Sequence, residues 1–148
     1  MINEYGWLGR FEIKTKNGIF ILKNRIMNNA IDELLKALSG NEPDIMLKYL
    51  AIGTGTTGLL NTQTQLENEV FRTPFITITK TGIGRLTSIA TILDVDYDGP
   101  INEVGVFCGD SATTSADTGL MLSRVLWNYT KTATEEIQIT RYDNIERG

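Results

Sequence analysis

The sequence contains no histidine. That removes the commonest general base and the commonest transition-metal ligand. A Ser-His-Asp or Cys-His nucleophile is excluded with it. Cysteine occurs once, at Cys108, so an internal disulfide is excluded too. Within the apolar run VGVFCG this thiol is expected to pack as a small hydrophobe. No run of like charges occurs and the net charge is −4, which leaves no electrostatic footprint for nucleic acid. No apolar stretch approaches membrane-spanning length. The start, MINEYGWLGR, lacks the basic and apolar regions of a signal peptide. The expected product is made and kept in a cytosol, or released by lysis.

What is present suits one domain. The chain has 148 residues, 41% of them hydrophobic, enough for a core of ordinary size. LGRFEIK (8–14) and IFIL (19–22) read as strands around the turn signal KNG (16–18), with Gly18 free to take positive φ. The period then changes. Met27, Ile31, Leu34, Leu35 and Leu38 fall at helical spacing, which predicts a helix over about 25–39, with Asn24 as its cap and Gly40 at its end. Its apolar stripe is expected to pack on a sheet.

After the break NEPD (41–44), MLKYLAI (46–52) reads as a strand and runs into GTGTTG (53–58). LLNTQTQLENE then fits either one helical turn or an irregular connection. VFRTPFITITK, with Pro74 marking an edge or a bulge, is expected to form a hairpin with RLTSIATILDV around TGIG (81–84). INEVGVF (101–107), LMLSRVLWNYT (120–130) and TEEIQITRY (134–142) are further strands, separated by the polar loop 109–119. In the last, Ile137, Ile139 and, after a shift, Tyr142 mark the inner face. The count is about eight antiparallel strands and one helix, as a β-sandwich or barrel-like domain. Residues 1–8 are a possible docking arm and 143–148 a short tail.

Three stretches invite a chemical reading. DVDYDG (94–99) spaces Asp94, Asp96 and Asp98 like the first half of an EF-hand loop. The twelfth position, which needs a bidentate Glu, is Gly105, and the flanks read as strands. An acidic turn is the plainer reading; weak cation binding, with calcium as the metal, is the sharper one. AIGTGTTG resembles a phosphate loop without the Lys-Ser/Thr pair. The plainer reading is a tight turn in which Thr54, Thr56 and Thr57 bond local backbone. Charges inside apolar strands are the third signal. Glu103 and Arg124 are such charges, and Glu69 and Arg72 flank Val70-Phe71. An unpaired interior charge costs several kcal/mol, so Glu103 is expected to pair with Arg124 or Arg72.

The order of these motifs resembles a group of bacteriophage tail-associated structural proteins, including tail-fibre and baseplate-linked segments. The matching stretches are Ile52–Thr57, Leu66–Arg72, Glu103–Phe107 and Leu120–Arg124, within residues 24–142. The resemblance implies a virion component without enzymatic activity, an oligomeric adaptor or attachment subunit in the tail or neck, assembled in the host cytoplasm. Its partners would be other virion proteins and copies of itself. In such proteins the domain often precedes a fibre. Here the chain stops near residue 148, which points to a free-standing adaptor or short decoration without direct host recognition.

Tyr5 and Trp7 are candidate docking anchors, since aromatic residues are favoured at interfaces; Trp7 covering its own core is the equal alternative. Two rival readings stand beside the virion one. A calcium- or carbohydrate-binding β-sandwich module would use the 94–99 loop and exposed Trp7, Trp127 or Tyr129. A glycan-cleaving enzyme would use Asp94, Asp96 or Glu103, and needs two carboxylates about 5–10 Å apart.

Overall fold

A computed structural model describes residues 6–146. The chain is mainly β, with one helix and nine strands that form one curled, half-barrel antiparallel sheet. In chain order the elements are β1 (Gly6–Thr15), β2 (Gly18–Ile26), α1 (Asn28–Leu38), β3 (Leu47–Gly53), β4 (Glu69–Pro74), β5 (Thr77–Gly82), β6 (Arg85–Ile92), β7 (Gly99–Cys108), β8 (Leu120–Lys131) and β9 (Ile137–Glu146). Across the sheet the order is β4-β3-β7-β8-β2-β1-β9-β6-β5. The first hairpin forms as its turn residues predict, with Thr15 paired to Gly18 at φ 124°.

One core fills the curl. Phe11 and Ile13 of β1 and Ile137 and Ile139 of β9 meet Val104 and Val106 of β7 and Leu122 of β8. β2 is the corner: most of it pairs with β1, and only Arg25 and Ile26 pair with β8. A smaller apolar cluster, with Met27, Ala51, Leu66, Phe107 and Met121, lies on the opposite face of β3, β7 and β8. The first half of β8 is therefore buried on both faces, which hides its strand alternation.

Several expectations change. VFRTPFITITK is two strands at opposite edges of the sheet. Pro74 has no N–H to extend the ladder, and the chain crosses over through Phe75 and Ile76, whose amides bond Lys48 O and Ile89 O. The strand count is accordingly nine. The helix starts at Asn28, not near 25, because Asn24 lies in β2 opposite Gly9 and caps nothing. Gly40 does end it, at φ 87°, with the Asn41 amide returning to Lys36 O.

The helix stripe is not packed as expected. Met27 and Ala30 are buried, but Ile31, Leu35 and Leu38 are open to solvent, Leu38 at 85%. Nor are the termini loose where they are described. β1 already starts at Gly6, and residues 143–146 belong to β9 rather than a tail. β9 alternates without a shift. Arg141 and Asp143 continue the inner face of Ile137 and Ile139, and Tyr142 points outward under Arg10, whose guanidinium lies 4.5 Å from the ring centre.

Candidate functional site

The outer face of β7 and β8 carries the most elaborate polar arrangement in the fold. Gly105 and Arg124 are partners in the β7–β8 ladder, and Glu103 sits two residues along on the same face. Arg124 Nε donates to Glu103 Oε2 at 2.7 Å, and both side chains are essentially fully buried. Arg72 does not take part. Burying such a pair is tolerable only when its remaining hydrogen-bonding capacity is met. Glu103 meets it with backbone donors: Gly55 N and Asn68 N to Oε1, and Glu67 N to Oε2, at 2.9–3.1 Å. Arg124 Nη1 donates to Thr57 O at 2.8 Å and to Gln63 Oε1 at 3.3 Å, while its buried Nη2 has no partner among the described residues.

Every one of those partners lies in the irregular connection between β3 and β4. The ion pair therefore takes the place of secondary structure for residues 54–68. The GTGTTG stretch is the near wall of this arrangement. A Cβ on Gly53 would sit 2.4 Å from Glu103 Oε1, and one on Gly55 2.7 Å from it. These glycines admit a carboxylate from their own chain, which is a different use from cradling a phosphate. Thr54 bonds Asn68, and the Thr57 amide bonds the Glu67 carboxylate, so these contacts reach across the connection instead of staying local. The Thr57 side chain, then its amide, hold the Glu67 carboxyl below its ordinary value. Leu66 closes the top, packed on Gly105, where a Cβ would approach it to 2.8 Å.

Glu69 and Arg72 form a second clamp next door. Arg72 Nε and Nη2 donate to the two Glu69 oxygens at 2.6 and 2.8 Å, a bidentate fork. Arg72 Nη1 donates to Thr113 O and Thr118 O, and its guanidinium lies over Phe107 at 4.5 Å. Glu69 also accepts from Asp117 N, where the chain takes φ 60°. This pair holds the polar loop 109–119 as the first holds residues 54–68.

The other predicted residues fall elsewhere. Asp94 Oδ1 accepts from Val95 N, and Asp96 Oδ2 from Leu93 N, so two of the three carboxylates close their own turn. Among the described residues, no three carboxylate or thiol side chains gather in metal-binding geometry. Trp127 and Tyr129 are buried inside the curl, stacked on each other at 4.7 Å and edge-on to Phe20, so neither is the exposed sugar platform considered above. Glu103 lies beneath a loop with its oxygens occupied, not in a cleft. Cys108 is buried, donates to Leu120 O, and burial pushes its thiol up to about 12. Tyr5 lies outside the described residues. Trp7 is half-buried in β1, packs against the core and donates to Asp143, which fits a core-covering role instead of a free arm.

Sequence reasoning missed the buried network on β9. Arg141 donates to Asp143 at 2.8 Å and to Ser123 Oγ at 2.9 Å, and its guanidinium lies over Phe11. Two opposite charges two residues apart in an alternating strand were the signal.

The class defined by this geometry is a curled antiparallel half-barrel whose long loops are fastened by buried carboxylate–guanidinium pairs. No protein-family model, curated sequence or solved structure matches the chain. Among the described residues, no helix is long and apolar enough to cross a membrane.

Proposed function

We propose that the protein is a structural subunit of a bacteriophage virion. It is an adaptor or attachment piece of the tail, at the fibre, baseplate or neck, and it assembles as an oligomer. The reading assigns it no catalytic role and no cofactor. Its partners are other virion proteins and copies of itself.

One observation carries this reading. The resemblance to tail-associated proteins rests on four short stretches spread over the chain, and those stretches meet around one ion pair. Gly53 and Gly55 of the first wall Glu103 of the third. Leu66 of the second packs on Gly105 of the third, while Glu67 and Asn68 donate to Glu103. Arg124 of the fourth completes the pair. Motif residues that depend on one another in space support a shared architecture better than four separate short matches do. The surface supports association as well. Large apolar side chains stand exposed on the helix, at the β5–β6 turn and on the 93–98 turn, as on surfaces that partners cover.

The test is immunogold labelling of phage particles from a lysate of the source, viewed in negative stain. Label at the tail tip or neck is the expected result. Unlabelled particles beside free protein in the same lysate overturn the proposal.

A further inference from the structure

The strands of the β1-β9-β6 region run between two ends of opposite chemistry. Ile92 pairs with Ile137 at the start of β9, so the turn after β6 lies at that end. Trp7 pairs with Ile145 at the other. From Ile137 to Ile145 the strand spans roughly 26 Å at about 3.3 Å per residue.

At the first end stands the acidic turn. Leu93 and Val95 are exposed, Val95 at 83%, with the carboxylates of Asp94, Asp96 and Asp98 around them. Its backbone is held in place. Leu93 N bonds Asp96, Asp96 N returns to Leu93 O, and the buried Lys131 reaches Asp94 O. The turn is a pre-formed knob with an apolar tip and an acidic collar, and docking it costs little ordering entropy.

At the opposite end lies a groove of about 790 Å³ between α1, the end of β2 and the end of β9. Ile31, Leu34, Leu59 and Ile145 give it apolar walls, and Lys23 and Arg25 stand on its rim. Among the described residues, no carboxylate lines it. Its apolar walls match the knob's tip, and its rim has the opposite charge to the knob's collar.

We propose that the 93–98 turn of one copy docks into this groove of the next. Leu93 and Val95 enter between Ile31 and Leu34 of α1, and the aspartates face Lys23 and Arg25. This rests on the reading of the chain as a self-assembling subunit, and it names the surface used. Because the two faces differ and lie at opposite ends, the contact is head-to-tail. Such contacts close into rings or continue as stacks, depending on the rotation per copy.

The test is sedimentation velocity of the full chain over a range of concentrations, at low and high salt. Wild-type protein is expected to form oligomers that grow with concentration and weaken with salt, since exposed charges are screened. Arg25→Glu spoils the groove and Val95→Asp spoils the knob. Both positions are exposed and Arg25 gives up only a surface bond to Leu59 O, so circular dichroism should match wild type and melting should shift little. Each variant alone should weaken association by about tenfold or more. Mixed together they should form a 1:1 dimer and nothing larger, because each supplies one intact face.

A monomeric wild type overturns the proposal, and so does a mixture that stays monomeric. A wild-type oligomer unmoved by either variant removes this interface while the virion reading stands. Head-to-tail association by a protein absent from labelled particles does the reverse.

Discussion

The indole of Trp7 and the carboxylate of Asp143 meet across the β1–β9 pair, with Nε1 donating at 2.9 Å. Asp143 is also the counter-charge of the fully buried Arg141. The two bonds are unequal in consequence. Asp143→Ala leaves a guanidinium buried without its partner, at a cost of about 3–5 kcal/mol. Trp7→Phe keeps most of the packing and removes one hydrogen bond, for about 1 kcal/mol. Urea unfolding of the two variants measures the difference. Equal, small losses would mean that Arg141 finds another partner and the network is not a unit.

Glu103 and Arg124 should behave as a coupled pair. Glu103→Gln and Arg124→Met each strand the other member, so each is expected to cost about 3–5 kcal/mol. The double variant should cost clearly less than the sum, since both changes remove the same interaction. Hydrogen exchange separates a clamp from a merely buried pair. The amides of Gly55, Glu67 and Asn68 donate to Glu103. In Glu103→Gln they should exchange much faster, while β1 and β9 amides change only with global stability. Unchanged protection at those three amides rules the clamp out.

The glycines of residues 53–58 are expected to divide by position. A Cβ on Gly53 meets Glu103 Oε1 at 2.4 Å and Asn68 O at 2.5 Å, and both atoms are fixed by other bonds. Gly53→Ala should therefore destabilise by about 1–3 kcal/mol through forced displacement. At Gly58 a Cβ meets nothing within 4 Å. Gly58→Ala should stay within about 0.5 kcal/mol of wild type. Thermal melting of the two variants is enough to decide. Indistinguishable melting temperatures would mean that the connection is free to shift and does not wall the carboxylate.

These sites were unequally legible in the sequence. Glu103 and Arg124 stood out because charges inside apolar strands demand partners, but the choice between Arg124 and Arg72 needed the β7–β8 register. Arg141 and Asp143 escaped because they replace apolar residues on the inner face of β9, so alternation fades where the network begins. The break at Pro74 was visible. That the two halves lie at opposite sheet edges is tertiary information which no local pattern carries. Helical periodicity located the stripe Ile31, Leu35 and Leu38, yet period alone does not say what covers a face. The acidic turn was legible as a turn. The groove proposed to receive it is assembled from β2, α1, Leu59 and β9, and exists only in the fold.

The pH dependence of stability should have a limb on each side, both involving one contact. Tyr129 OH donates to Glu135 Oε1 at 2.5 Å beside the β8–β9 connection. For Glu135, burial favours the protonated form, but bonds from Tyr129, Thr132 and Lys16 outweigh it and hold the carboxyl below its ordinary value. A depressed folded value contributes stability that is fully present above about pH 4.3 and is lost as pH falls toward it. Burial, then the hydrogen bond to Glu135, push the Tyr129 phenol above its ordinary value. A raised folded value contributes stability that is present below about pH 10 and is lost as pH rises past it. Urea midpoints across the pH range check both signs. Glu135→Gln should flatten the acid limb, and Tyr129→Phe the alkaline one. Glu33 and Glu67 are also held low, so a reduced acid slope should persist in Glu135→Gln. Curves that run parallel to wild type in both variants would place the titrating groups elsewhere in the fold.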